Sequence, residues 1–188
     1  MGQYYKVINI DDMEHLKPHA YSNGAKLMEH SYIGNDFVGA VEFLLADDGE
    51  VKNKWSGKRV IWAGDYADKE SDTGLTMYNS VSGGGLQMII EMVPDEYKYI
   101  LNLDKKLYVN KNRAEEINSA QKLNKLVSFD DYVIHPLPLL VCEGNGRGGG
   151  DYLGFNKELV GTWARDRISL MKTIPDGFTE LIANFCEG

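Results

Sequence analysis

LLVCEGNGRGGGD, residues 139–151, is a short apolar run that stops at a charged residue and opens into a loop holding five of the chain's twenty glycines. Glycine lacks Cβ and takes positive φ cheaply, so such a loop must bend sharply or admit another group at close range. Whether these glycines start a helix decides the fold class. The spacing Gly144-x-Gly146-x-x-Gly149 satisfies a dinucleotide fingerprint, but that fingerprint operates only where it opens a helix aimed at the pyrophosphate inside a βαβ unit. Residues 152–156, YLGFN, carry no helical periodicity, no Lys-Ser/Thr pair follows the glycines, and the chain does not alternate strand and helix. A doubly wound parallel sheet is therefore set aside. The expectation is an α+β fold, a mainly antiparallel sheet with two or three helices. Pro136 and Pro138 ahead of the apolar run make it an expected edge strand.

Outward from this stretch, residues 3–10, QYYKVINI, are aromatic and β-branched and stop at Asp11-Asp12, which predicts a strand entering a turn. Phe37, Val41, Leu44 and Leu45 recur at helical spacing behind Asn35 or Asp36 as a cap, predicting a helix over 35–46. Residues 55–63 and 160–170 read as strands. Residues 97–103 and 107–109 flank Asp104-Lys105-Lys106 as strand, tight turn and strand. Residues 111–126 have the composition of a helix, and 178–186 that of a short terminal one. Residues 86–93, behind a second glycine cluster at 82–85, fit either strand or short helix.

The chain also resembles itself. Asn9-Ile10-Asp11 recurs as Asn102-Leu103-Asp104, Lys26-Leu27 as Lys122-Leu123, Leu44-Leu45 as Leu139-Leu140, and Trp55 with Arg59 as Trp163 with Arg167. The separations are 93, 96, 95 and 108 positions, and the jump falls where the glycine loop is inserted. Residues 1–188 are expected to be one domain, with an internal duplication into halves 1–94 and 95–188 as one reading and chance similarity of short apolar motifs as the other.

A chain of 188 residues buries a core without needing disulfides or a structural metal. No apolar run approaches the length of a membrane span, no secretory leader is visible, and Cys142 and Cys186 lack metal-site spacing, so a cytoplasmic protein with reduced thiols is expected. The formal charge of −8 disfavours nonspecific nucleic-acid binding. Acidic residues gather at Asp11-Asp12, Asp47-Asp48, Asp65 to Asp72, Asp95-Glu96 and Asp130-Asp131. They read as solvated turns or as an acidic face for a basic groove on a partner protein.

The expected working surface is Gly146, Arg147, Gly148, Gly149, Asp151 and Tyr152, together with Asp65 and Tyr66 of a second Gly-Asp-Tyr triplet. Arginine and tyrosine would serve there as protein-binding anchors. No catalytic residue, metal or cofactor is assigned, because no serine or cysteine has a nucleophile-elbow context and the proline in His15-Leu-Lys-Pro-His19 spoils a helical ligand pair. The alternative is a nucleotide- or phosphate-binding enzyme, with the loop amides and Arg147 as an anion nest and Asp65 and Asp151 as acid-base or metal groups.

The opening MGQYYKVINI, the run KLMEH, the segment RVIWAGDYAD and the pair NGRGGGDY and VGTWARDRI together resemble a largely uncharacterised family of small bacterial and phage proteins. That resemblance spans most of the chain and brings no catalytic residue with it. It implies a mobile-element setting, in which the expected activity is non-enzymatic inhibition of a bacterial defence machine, in the manner of an anti-CRISPR protein. The implied partner is a nucleic-acid-binding bacterial protein.

Overall fold

Side chains alternate between the two faces of a strand, so a strand buried on both faces reads as continuously apolar. YKVIN does so. In the computed structural model, which describes residues 1–83, 85–113 and 132–186, β1 (Tyr5–Asn9) is buried along its whole length. Tyr5 and Val7 enter the main core, and Ile8 enters a smaller cluster on the opposite face with Ile61, Ala63, Met77 and Val81. The remaining strands are β2 (Glu14–Leu16), β3 (Ala46–Asp47), β4 (Lys58–Gly64), β5 (Tyr99–Asn102), β6 (Leu107–Asn110), β7 (Cys142–Glu143), β8 (Arg167–Met171) and β9 (Thr179–Glu180). Together they form a nine-stranded sheet in the order β2-β1-β4-β8-β5-β6-β9, with β3 beside β8 and β7 beside β4. The fold is mixed α and β on a mostly antiparallel sheet, as expected. Three short pairs, β3 with β8, β4 with β7 and β6 with β9, are parallel.

The described residues include the α-helices α1 (Leu27–His30), α2 (Asp36–Leu45), α3 (Met77–Ser80) and α4 (Pro136–Leu140), besides helical residues 111–113 and 3-10 turns at Pro18–Tyr21 and Lys157–Leu159. Asn35 caps α2 as its position predicts, its Oδ1 accepting from the amides of Phe37 (2.9 Å) and Val38 (3.3 Å). Phe37 packs edge-on to both His30 and Trp62.

The expected edge strand behind Pro136 and Pro138 is instead α4. Proline in the first helical turn sacrifices no intrahelical hydrogen bond, and the His135 ring accepts from the Leu137 amide to cap the turn. Only Cys142 and Glu143 are strand. The tail expected as a helix is extended. β9 pairs with β6, and Ala183 and Phe185 are buried while Ile182 is exposed, a period of two that tertiary pairing imposes over local propensity. The two tryptophan segments turn before they extend, so their strands begin at Lys58 and Arg167. Residues 111–113 are helical, as expected, and the rest of the helix expected over 111–126 lies outside the described residues.

One set of contacts occurs twice. Asn9 Oδ1 accepts from the amides of Asp11 and Asp12, and Asn102 Oδ1 from those of Asp104 and Lys105. Both hairpins then pass a left-handed residue, Met13 at φ 53° and Lys106 at φ 55°. The Asp11 carboxylate takes the main-chain N–H (2.9 Å) and Nε (2.6 Å) of Arg59, and Asp104 takes the same two groups of Arg167, each at 2.7 Å. Trp55 N donates to Leu44 O and Trp163 N to Leu140 O, both at 2.8 Å. β3 crosses to β8 while β7 crosses to β4, so each half's short strand pairs with the other half's long one. The helix ends align as Leu44 with Leu140, one residue on from the Leu44–Leu139 match in the sequence. Lys122 and Leu123 lie outside the described residues.

Candidate binding surface

The glycine loop is held from inside. Asn145 clamps its two ends, donating to Tyr152 O (3.0 Å) and accepting from Tyr152 N (2.8 Å). Between them Asp151 Oδ2 accepts from the amides of Gly146 (2.8 Å), Arg147 (2.9 Å) and Gly148 (2.9 Å). Its Oδ1 accepts from the Tyr5 hydroxyl at 2.7 Å. Burial pushes the Tyr5 hydroxyl far up from its ordinary pKa, so it stays a donor. Converging amides make an anion nest. Here the chain's own carboxylate occupies it, which weighs against the phosphate-cradle alternative.

The other expected surface residues are placed as follows. Arg147 donates to Tyr66 O (3.1 Å) and forms a two-pronged pair with Asp68 (2.8 and 3.1 Å), which lowers the Asp68 pKa. The loop and the second Gly-Asp-Tyr triplet are therefore neighbours. Asp65 and Asp151 are nevertheless employed separately, since Asp65 Oδ1 accepts from Tyr4 N. Tyr66 is partly exposed, whereas Tyr152 is buried with its hydroxyl against the carbonyls of Phe155 (2.6 Å) and Cys186 (2.8 Å). Tyr152 is thus a core residue. Gly148 lies on the N-terminal segment so closely that a Cβ there would sit 2.4 Å from Gln3 Cβ and 2.7 Å from Gln3 N. Gly149 bridges to Gly2, its amide donating to Met1 O.

Several acidic turns are likewise engaged internally: Asp11 with Arg59, Asp12 with Lys58 and Asp104 with Arg167. Two buried histidines have complete partners. His30 accepts from Trp62 Nε1 (2.9 Å) and meets Gly24 O (3.0 Å), and burial lowers its pKa to about 4. His135 pairs with Glu42, which also accepts from Lys111 at 2.6 Å. Among the described residues no three His, Cys, Asp or Glu side chains gather as a metal site.

Residues 86–93, which residue spacing had left undecided, form with Gly85 a second surface. Gly85 bridges to His15 on the open side of β2, and Leu86 N donates to His15 O (2.9 Å). From there the chain passes Tyr21 of the 3-10 turn Pro18–Tyr21, whose hydroxyl accepts from Ile89 N, and runs on to α2, where Met92 covers Gly39. Leu86, Ile89 and Val93 pack on the core, while Met88, Ile90 and Met92 face outward with 55, 76 and 54% of their area exposed. The amides of Gln87, Met88, Glu91 and Met92 have no acceptor among the described residues. This segment belongs to no strand, and it presents exposed apolar side chains and open amides beside β2 at the sheet edge. Its inward residues fall three and four apart while Met88, Ile90 and Met92 fall two apart, so neither a helical nor a strand period describes it, and the sequence pattern left both open.

Comparison with protein-family models, curated proteins and solved structures finds no match. No helix among the described residues is long and apolar enough to cross a membrane.

Proposed function

We propose that this protein is a non-enzymatic binding protein that inhibits a bacterial defence machine, and that residues 85–93 are its contact segment. The observation that carries the reading is the exposed Met88, Ile90 and Met92 beside unpaired main-chain amides, a combination that invites strand addition by a partner. Glu91 and the exposed Asp95 lie on or beside this segment in a chain of formal charge −8. The occupant is accordingly an extended segment of a nucleic-acid-binding bacterial protein, alternating apolar residues with lysine or arginine. The contacts repeated in the two halves support an internal duplication as the origin of the scaffold.

The test is phage plaquing on bacterial strains that each carry one defined defence system, with and without the protein. The expected result is relief of one system by the wild type and at least a tenfold weaker effect of an Ile90→Lys, Met92→Lys variant of unchanged thermal stability. Equal relief by wild type and variant removes this segment from the interface, and relief of no system removes the inhibitor reading. The enzyme alternative predicts instead a saturable nucleotide effect that Arg147→Ala abolishes.

A further inference from the structure

Beneath the start of this segment lies a group of basic side chains that the fold leaves without counter-charge. The β1–β2 register places Val7 opposite Leu16 and Ile8 opposite His15, so one step further Lys17 comes opposite Lys6. Directly opposed residues of an antiparallel pair project to the same face. That face also carries Ile8, so Lys6, His15 and Lys17 share the side on which Met77, Tyr78, Val81 and Gly85 lie. Like charges directly opposite one another destabilise a sheet. Among the described residues neither lysine has a carboxylate partner.

His15 adds a second cost. It is fully buried, and neither Nδ1 nor Nε2 has a hydrogen-bond partner. An unpartnered buried polar atom forfeits its hydration with nothing in return. Gly85 comes so close that a Cβ there would stand 3.2 Å from His15 Nε2, so only a residue without a side chain fits without displacement. Lys6 is itself 8% exposed, its ammonium directed at the carbonyls of Tyr78 (2.8 Å) and Val81 (3.3 Å) beneath the Tyr78 ring. Beside His15 the amide of Gly85 has no acceptor among the described residues. Two lysines without a carboxylate partner, an imidazole with two open nitrogens and the open amide of Gly85 all lack one component, an anion.

We propose that Lys6, His15 and Lys17 form an anion-binding site closed by Tyr78, Val81 and Gly85, whose ligand carries a phosphate or a carboxylate. The Tyr78 ring moves aside to admit the ligand. The anion then pairs with the two ammonium groups and accepts from His15 and from the Gly85 amide. This site is separate from the 144–151 loop, whose amides Asp151 already holds.

The experiment titrates the full chain with inorganic phosphate and, in a parallel arm, with acetate, following thermal stability and the amide resonances of Leu86 and Gly85. Phosphate stabilising more than acetate assigns a phosphate ligand, and the reverse assigns a carboxylate. Lys17→Ala, at an exposed position, and His15→Leu, which keeps the space filled, are each expected to weaken the effect about tenfold, the order of one charge-assisted hydrogen bond. Should His15→Leu not fold, Lys17→Ala decides alone. Equal stabilisation of wild type and Lys17→Ala, or no saturable response to either anion, overturns the proposal. Because no protein partner is present, failure here leaves the contact-segment reading standing.

Discussion

Replacing Asp151 by alanine tests whether the glycine loop is an internal clasp or a vacant cradle. The carboxylate holds three amides at 2.8–2.9 Å and the buried Tyr5 hydroxyl at 2.7 Å. A hydrogen bond to a charged group contributes about 1.5–3 kcal/mol, but Gly146 and Arg147 are exposed and water replaces part of what their amides lose. Discounting those two leaves about 3 kcal/mol for Asp151→Ala, roughly a hundredfold in the unfolding constant. Asp151→Asn retains the shape and loses the charge, so it should cost about half as much. Urea unfolding followed by tryptophan fluorescence gives both values, and native-state hydrogen exchange reads the amides of residues 146–148 directly. Both variants within about 0.5 kcal/mol of wild type, with exchange at those amides unchanged, would refute the clasp.

His30 makes stability fall in acid. Its folded pKa of about 4 lies below the ordinary 6.5, so the unfolded chain binds the extra proton between those values. The stabilisation is complete above pH 6.5 and is lost as pH falls towards 4, by about 3 kcal/mol for a shift of that size. Urea titrations across this window should give a slope that His30→Gln flattens, and an unflattened slope would assign the proton elsewhere. Gly148→Val should cost at least about 3 kcal/mol, because its Cβ meets Gln3 main chain, while Gly83→Val, with nothing within 4 Å of its Cβ, should stay within about 0.5 kcal/mol. Equal melting temperatures for the two glycine variants would show that the loop does not press on the N-terminal segment.

The legible parts of the fold were those with strong local signals. YKVIN alternates two buried faces, Asn35 stands before a helical apolar pattern, and Asn9 and Asn102 each open a hairpin whose later residues supply the arginine clamp. α4 was obscured because Pro136 and Pro138 read equally as strand-edge residues until the cap from His135 is seen. The tail was obscured because pairing with β6 outweighs the local preference of nine residues. The loop's glycines announced a close approach correctly, yet the approaching groups are Gln3 and Lys26 of this same chain. Nothing local distinguished Asp151, which fills the nest, from a surface carboxylate. His15 and Lys17 were similarly opaque, since only the β1–β2 register brings them beside Lys6.

Where the two halves differ indicates what the loop contributes. Gly57 and Arg165 occupy the same position after their tryptophans, at φ 72° and 68°. Glycine takes that conformation freely, whereas a branched or long side chain there costs of order 1 kcal/mol. Arg165 offsets the strain by gripping Glu143 at 2.5 and 3.0 Å and Glu70 at 2.5 and 3.1 Å, which ties β7 to the segment after β4. The separation between corresponding residues rises from 96 at Ala46 and Cys142 to 108 at Trp55 and Trp163, so the second half carries twelve additional residues across this interval. Those residues make the loop, and the loop binds the first half: Gly149 to Gly2, Asp151 to Tyr5, Gly150 O to Met28 N and Arg147 to Asp68. The insertion therefore fastens one half to the other along the N-terminal strand. A loop anchored in this way cannot reshape around a ligand without loosening β1, whereas the contact proposed at residues 85–93 uses the open amides of Gln87, Met88, Glu91 and Met92 and outer side chains that a partner can bury without breaking the core.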